Sequence, residues 1–309
     1  MVLSFISFLF LWVSILVSVA YVTLLERSVL GYIQLRKGPN KLGILGILQP
    51  FSDGISLFFK EQVSPYRSNY MIYYFAPVFM LSLSFLFWVL YPFLGGVSCL
   101  NLSVLFFLCC SGFGVYGVLL SGWASNSKYS FLGGLRALAQ SISYEVSMAL
   151  ILVCLVIFVY SFDIMDFMWY QRFVWFILFS FPLFFCWFSS CLAETNRAPF
   201  DFAEGESELV SGFNVEYSSG GFAFIFLSEY MNIIFMSVLS SIFFLGGYLL
   251  SSLFYFLVLF VVFLFIWVRG TFPRFRYDKL MYLTWSVFLP VSLNYLLFFM
   301  GVLVLCTKI

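Results

Sequence analysis

The most chemically distinctive stretch of the sequence is a cluster of carboxylates between residues 193 and 217, which holds six of the fourteen acidic residues. On a helix, Asp201, Glu204 and Glu208 would share one face, whereas in an extended segment Glu204, Glu206 and Glu208 would point the same way. Crowding and partial burial raise carboxylate pKa values toward neutrality, so these groups could exchange protons. The alternative is a solvated acidic loop that repels wrong partners or docks a basic one.

Two further carboxylates lie inside apolar segments. Glu145 follows Arg136 by about nine residues, or roughly 13 Å along a helix, and Glu229 lies within FIFLSEYMN. A carboxylate at membrane depth is costly and marks an ion or proton pathway more often than a structural hydrogen bond. The neighbouring Tyr144 and Tyr230 could relay protons or only form hydrogen bonds. With Glu194, these carboxylates predict a path from the loop side toward the middle of the membrane.

The residues that usually bind redox centres are missing or scattered. The sequence contains no histidine, and its seven cysteines include no CxxC pair. We therefore expect no haem, zinc or iron–sulfur site and no redox centre on this chain. Proton chemistry must then depend on carboxylates, tyrosines and water.

Composition specifies the elements that hold these residues. The chain is 63% hydrophobic and 9% charged, with a mean hydropathy of +1.05, which is typical of a polytopic membrane protein. We predict an all-α fold and a single membrane domain over residues 1–309. The first apolar segment lacks a basic n-region and is expected to be a retained transmembrane helix, not a signal peptide. The eight predicted spans are residues 3–25, 71–93, 102–123, 135–160, 173–193, 222–245, 249–268 and 285–306.

The placement of basic residues predicts the orientation. Of fifteen Lys and Arg residues, all but Arg172 and Lys308 lie in the odd-numbered loops. The positive-inside rule assigns those loops to the cytoplasmic or matrix face. Because the acidic loop, residues 194–221, is also odd-numbered, we expect polar function on that face.

The first odd loop is predicted to contain an amphipathic helix. Apolar and polar residues alternate with helical period over 44–60, with a kink expected at Pro50. Such a helix lies in the membrane interface, either as a surface anchor or as the wall of a cavity on the lipid side. The helix before it is expected to continue until Gly38.

The last odd loop, RGTFPRFRYDKL, is strongly basic. Positive-inside bias explains most such loops, but this one could also dock a hydrophilic partner or pair with the acidic loop. Glu26 and Arg27, at the end of the first span, form another candidate pair.

Four motifs, in this order, resemble one known family: LLERSVLGYIQLRKGPN, GLRALAQSISYEV, AETNRAPFDFAEGESELVSGFNVEY and RGTFPRFRYDKL. They are similar to chain 1 of NADH:ubiquinone oxidoreductase, the membrane subunit of respiratory complex I that helps form the quinone site, and above all to its mitochondrial members. The resemblance implies a non-redox subunit of a proton-translocating enzyme that forms the quinone-access channel and couples quinone reduction to proton translocation.

The resemblance also implies roles for individual residues. It assigns to the quinone channel Glu26, Arg27, Asp53, Arg197, Asp201, Glu204, Glu206 and Arg276. It assigns to the proton path Glu145, Glu194, Glu208, Glu216 and Glu229. Ubiquinone would be the substrate, with flavin and iron–sulfur clusters on partner subunits of the hydrophilic arm. Further partners would be membrane-arm subunits and lipid, in the mitochondrial inner membrane with odd loops facing the matrix.

Two other classes remain as alternatives. A secondary transporter or ion-conducting protein would also contain buried glutamates, but it would favour internal repeats, and no convincing repeat is present. The equivalent subunit of a membrane-bound hydrogenase would share the motifs without using quinone.

Overall fold

The computed structural model describes residues 2–92, 100–205, 209–210, 212–247 and 251–307, with side chains from residue 6 to residue 305 within those ranges. The described residues contain helices and no strand, which confirms the all-α fold. The helices are α1 (Val2–Ile33), α2 (Gln49–Phe59), α3 (Tyr70–Phe87), α4 (Ser103–Ala124), α5 (Lys128–Val159), α6 (Ile164–Tyr170), α7 (Phe181–Glu194), α8 (Ser219–Phe244), α9 (Ser252–Thr271), α10 (Tyr277–Leu283) and α11 (Leu289–Thr307).

Seven helical segments within the described ranges are long and apolar enough to cross a membrane. Six are α1, α3, α4, α5, α8 and α9, and the seventh joins α10 to α11 through a π-helical turn over Thr284–Phe288. The predicted count of eight is not confirmed. Where span 173–193 was expected, the structure has a single turn at Phe176–Leu178 and then α7, whose 14 residues cover only about 21 Å.

The central helix of the bundle is α8. In the most apolar stretch of α8, 67% of the residues are buried inside the protein. The corresponding share for the segment Tyr277–Leu305 is 11%, so that segment lies at the periphery. Phe235 of α8 packs against Phe87 and Phe107, with ring centroids 5.2 and 6.1 Å apart. Helices α1, α2, α3 and α9 surround α8, so polar residues on α8 face other protein elements.

The first loop differs from its prediction in two ways. The amphipathic helix begins at Gln49, because residues 44–48 form turns and Leu45 and Gly46 have positive φ. Pro50 therefore occupies the first helical turn, where a missing N–H costs nothing, and the predicted kink at Pro50 is wrong. Helix α1 also ends earlier than expected, at Ile33.

Candidate functional site

A group of five polar side chains from α1, α8, α9 and the loop after α7 forms a compact centre, here called the charged cluster: Glu26, Arg197, Glu229, Tyr230 and Arg269. Glu26 is 6% exposed. Its Oε2 accepts a hydrogen bond of 2.5 Å from the Tyr230 hydroxyl, and its Oε1 accepts one from Arg269. A carboxylate that is removed from water in this way is stabilised by charged donors.

Arg197 connects Glu26 to a second carboxylate. Its Nη1 lies 3.9 Å from Glu26 Oε1, and its Nη2 lies 4.0 Å from Glu229 Oε2. The guanidinium carbon is 4.4 Å from the centre of the Tyr230 ring, a cation–π contact. Burial alone would lower the pKa of Arg197, but Tyr230, Glu26 and Glu229 together raise it above its ordinary value. The guanidinium therefore stays charged while it balances two buried carboxylates.

A large cavity of about 490 Å³ adjoins one side of the charged cluster. Its apolar wall comes from α1, α2 and α8 and includes Val19, Ala20, Leu57, Phe222, Phe226 and Leu227. Its polar wall includes Glu26, Arg27, Asp53, Tyr230 and Arg269. The cavity is therefore apolar over most of its surface and charged in one region, as expected for an amphiphilic ligand.

The polar wall includes an ion pair that joins α1 to α2. Arg27 Nη1 lies 2.5 Å from Asp53 Oδ2, and Gln49 Nε2 donates to the other oxygen of Asp53 at 2.8 Å. The sequence pairs Glu26 with Arg27 only as neighbours. In the structure each finds a partner elsewhere, Arg269 for Glu26 and Asp53 for Arg27. Helix α2 is thus held over α1 as a wall of the large cavity.

A small cavity of about 50 Å³ lies on the other side of the charged cluster, among α3, α4, α5 and α8. Its polar wall contains Glu194, Glu229, Asn232, Ser141 and Thr195. This volume is enough for a few water molecules. Glu229 therefore belongs both to the charged cluster and to a separate polar chamber.

The carboxylates of the acidic loop pair within the protein. Asp201 Oδ1 accepts a hydrogen bond of 3.2 Å from Glu204 N, and Asp201 Oδ2 lies 3.5 Å from Arg274 Nη2. Asn214 donates to Glu204 at 3.0 Å. The described part of this loop therefore pairs with the basic loop after α9, one of the two functional alternatives for that loop, and it is not a freely solvated segment.

Burial changes the acidity of these two groups. Burial raises the pKa of Glu204, and the neighbouring Asp201 raises it further, against smaller opposing effects of Asn214 and Arg197. Burial also raises the pKa of Asp201, although Arg274 opposes the change. Both carboxyls therefore take up protons more readily than ordinary surface carboxylates.

Comparisons with known proteins decide the family. A family model described as NADH dehydrogenase matches residues 6–300. NADH-ubiquinone oxidoreductase chain 1 of Aedes aegypti is 62% identical over 300 residues, covering 97% of this chain and 96% of the relative. The same protein from Anopheles gambiae is 61% identical with the same coverage, and that from Locusta migratoria is 60% identical over 97% of this chain and 95% of the relative.

The chain belongs to the NADH-ubiquinone oxidoreductase chain 1 family. The resemblance carried by the four sequence motifs is confirmed. As a member of this family, the chain is a membrane subunit of complex I.

The site residues predicted for this chain lie in several different parts of the structure. Glu26, Arg197 and Glu229 meet in the charged cluster, while Arg27 and Asp53 line the large cavity. Two others, Glu206 and Glu208, lie outside the described residues.

Three predicted residues lie apart from the charged cluster. Glu145 lines a separate cavity of about 430 Å³ between α4 and α5. Arg276 pairs at 3.0 Å with Asp278 on the surface, where both side chains are more than 70% exposed. Glu216 meets the core through its backbone carbonyl, which accepts a hydrogen bond of 2.7 Å from Tyr73.

The site residues predicted from the sequence do not include three that the structure places at the site, Tyr230, Arg269 and Asn214. The sequence analysis considers Tyr230 only as a proton relay or hydrogen-bonding group, and Arg269 only as part of the basic loop. Arg269 carried a usable signal, because it lies in the last turn of an apolar helix just as Glu26 lies near the end of α1. Opposite charges at matching helix ends favour pairing. Nothing in the sequence indicates which carboxylate the Tyr230 hydroxyl would bind.

Proposed function

We propose that this subunit forms the quinone-access channel and part of the quinone site, and that it couples quinone reduction to proton translocation through buried carboxylates. The observation that carries the proposal is the large cavity, whose apolar wall changes to a charged wall at Glu26, Arg27 and Asp53. Ubiquinone has an apolar tail and a polar head group, so it needs this combination of surfaces.

The reaction assigns separate tasks to this chain and its partners. Reduction of a quinone to a quinol consumes two electrons and two protons. The electrons come from flavin and iron–sulfur clusters on partner subunits, and this chain acts as a non-redox subunit. Its contribution is to bind the quinone, orient the head group and supply groups that hold or move protons.

The charged cluster supports the coupling step, since it lies between the two cavities. A negative charge that develops on the quinone competes with Glu26 for Arg197 and Arg269. When Arg197 shifts toward the large cavity, Glu229 loses its counter-charge and takes up a proton. The donor is the carboxyl group of Glu194, which lines the small cavity with Glu229 and regains a proton from water. The proton path would continue through Glu194 and Glu145, with Glu208 and Glu216 at its loop side.

The remaining predicted residues complete the proposal. Asp201 and Glu204 would shape the polar end of the channel, beside Arg197. Glu206 and the exposed Arg276 are candidates for contact with a hydrophilic partner subunit. We place the chain in the mitochondrial inner membrane, with odd loops facing the matrix and with membrane-arm subunits and lipid around the bundle.

Filling the large cavity tests the quinone channel. Gly54 lies on α2 in the cavity wall, and a Cβ there would meet nothing within 4 Å. We expect Gly54→Phe to raise the KM for long-tailed ubiquinone about tenfold, a loss on the order of 1.4 kcal/mol. The KM for a short-tailed quinone, which contacts less of the apolar wall, should rise less than about twofold.

The matched control is Gly301→Phe, because Gly301 lies on α11 and also has open space around its Cβ. This variant should leave both KM values unchanged in NADH:ubiquinone assays of the assembled complex. Equal KM values for wild type and Gly54→Phe with long-tailed ubiquinone would remove the large cavity from the quinone path.

A further inference from the structure

Tyr230 contacts two other members of the charged cluster, Glu26 and Arg197, with different parts of its side chain. Its hydroxyl donates to Glu26 Oε2 at 2.5 Å, across 204 positions of sequence. The face of its ring lies 4.4 Å from the guanidinium carbon of Arg197. The hydroxyl therefore fixes a carboxylate on α1, and the ring fixes a cation from the loop after α7.

These two contacts lie at the boundary between the two cavities. Glu26 and Tyr230 line the large cavity, whereas Glu229, the preceding residue on α8, lines the small one. Consecutive residues on a helix project about 100° apart, so α8 presents one side chain to each cavity. Arg197 lines a third, smaller cavity of about 20 Å³ together with Glu26 and Tyr230. Its guanidinium lies 3.9 Å from Glu26 and 4.0 Å from Glu229.

Tyr230 matters for the position of Arg197 because the guanidinium lies far from both of its carboxylate partners, Glu26 and Glu229. At 3.9 and 4.0 Å the guanidinium forms no close bidentate pair with either carboxylate. Its Nη2 and Nε are buried without a hydrogen-bond partner in the described part of the chain. The cation–π contact with the Tyr230 ring therefore acts together with the two carboxylates to set where the guanidinium lies. A small displacement of this cation would favour one carboxylate over the other.

We propose that Tyr230 is a positioning residue for the quinone reaction. Its hydroxyl holds the Glu26 carboxylate and its ring holds the Arg197 guanidinium, so it fixes these two groups relative to each other. Through these contacts Tyr230 sets how close the positive charge of Arg197 lies to Glu26, which lines the large cavity, and to Glu229, which lines the small one. This inference rests on the proposed quinone function of the site.

The test uses Tyr230→Phe in the assembled complex, which removes the hydroxyl and keeps the ring on Arg197. We expect normal assembly and a KM for ubiquinone within about twofold of wild type. The kcat should fall about tenfold, since a hydrogen bond to a buried carboxylate is lost. Tyr295→Phe is the matched control, because Tyr295 is a partly buried tyrosine on α11 that lines neither cavity and should keep the wild-type kcat.

A double-mutant cycle separates positioning from a general structural effect. If the hydroxyl acts through Glu26, Tyr230→Phe should lower kcat less than about twofold when Glu26→Gln is already present. Fully multiplicative effects of the two substitutions would overturn the proposal. So would an unchanged kcat, a raised KM alone, or failure of Tyr230→Phe to assemble when Tyr295→Phe assembles normally.

The single variant Glu26→Gln distinguishes this inference from the function on which it rests. Wild-type quinone kinetics in Glu26→Gln would contradict the quinone role of the charged cluster and overturn both proposals. Impaired kinetics in Glu26→Gln together with wild-type kinetics in Tyr230→Phe would overturn the positioning role of Tyr230 alone.

Discussion

Arg197 lies between two carboxylates that come from different helices, Glu26 on α1 and Glu229 on α8. Removing a partner from a buried ion pair leaves an uncompensated charge, which costs more than the pair contributes when intact. Glu26 retains Arg269 as a second cation. Glu229 has no other ion pair among the described residues at a comparable distance, so it depends most on Arg197.

We therefore predict that Arg197→Ala destabilises the subunit, by up to about 3–5 kcal/mol at a pH where Glu229 stays ionised and by less at a pH where Glu229 takes up a proton. The measurement is the amount of assembled complex and its thermal inactivation midpoint. Combining Arg197→Ala with Glu229→Gln should recover part of the loss, since the unpaired charge is gone.

The control for this prediction is Arg276→Ala. Arg276 pairs with Asp278 at an exposed position, where an ion pair contributes at most about 1 kcal/mol. Equal assembly of the Arg197→Ala and Arg276→Ala variants would contradict the counter-ion role of Arg197.

The acidic loop is held in place by a close approach of two backbone segments, which requires a residue without a Cβ at position 212. Phe213 N donates to Ala203 O at 3.3 Å, and the neighbouring Gly212 has φ +58°. A Cβ on Gly212 would overlap the carbonyl oxygen of Ala203. This close approach brings Asn214 within hydrogen-bond distance of Glu204.

Gly212→Ala should therefore displace the loop, because the new Cβ adds both backbone strain and a clash. Strain of this kind costs about 1–3 kcal/mol. We expect a lower thermal inactivation midpoint and reduced NADH:ubiquinone activity. Gly220→Ala is the control, since a Cβ at Gly220 would meet nothing within 4 Å; an equal effect of both substitutions would show that loop packing is not responsible.

At the scale of the whole molecule, the chain is a helical bundle with a buried centre on α8 and a broad apolar exterior. Exposed large side chains such as Phe10, Phe256 and Leu297 lie on α1, α9 and α11. We expect other complex I subunits or lipid to cover them. The large cavity and the charged cluster place ionisable side chains inside this otherwise apolar bundle.

We expect the protein to copurify in mild detergent with flavin and iron–sulfur subunits, because its proposed reaction needs electrons that this chain does not supply. The preparation should catalyse quinone-dependent NADH oxidation. Isolation as a self-sufficient homo-oligomer would contradict the proposal and would favour a transporter.

The sequence alone determined the fold class and the family. Apolar segments of membrane-spanning length require helices, since a backbone in lipid must satisfy its own hydrogen bonds. Long motifs then identified the family. Hydropathy could not predict that the fifth span would appear as the 14-residue α7, or that α2 would begin at Gln49. Those boundaries depend on packing and on turns at Leu45 and Gly46.

Only the tertiary structure decided which charges meet. Glu26 and Arg27 are neighbours in sequence, yet they bind Arg269 and Asp53, which lie 243 and 26 positions away. Glu145 and Glu229 have similar sequence surroundings, yet they line different cavities. A pattern of single residues specifies depth and helix face, whereas pairing depends on how separate helices are arranged around α8. The charged cluster is for this reason a product of packing, assembled from residues whose chemical types the sequence already supplied.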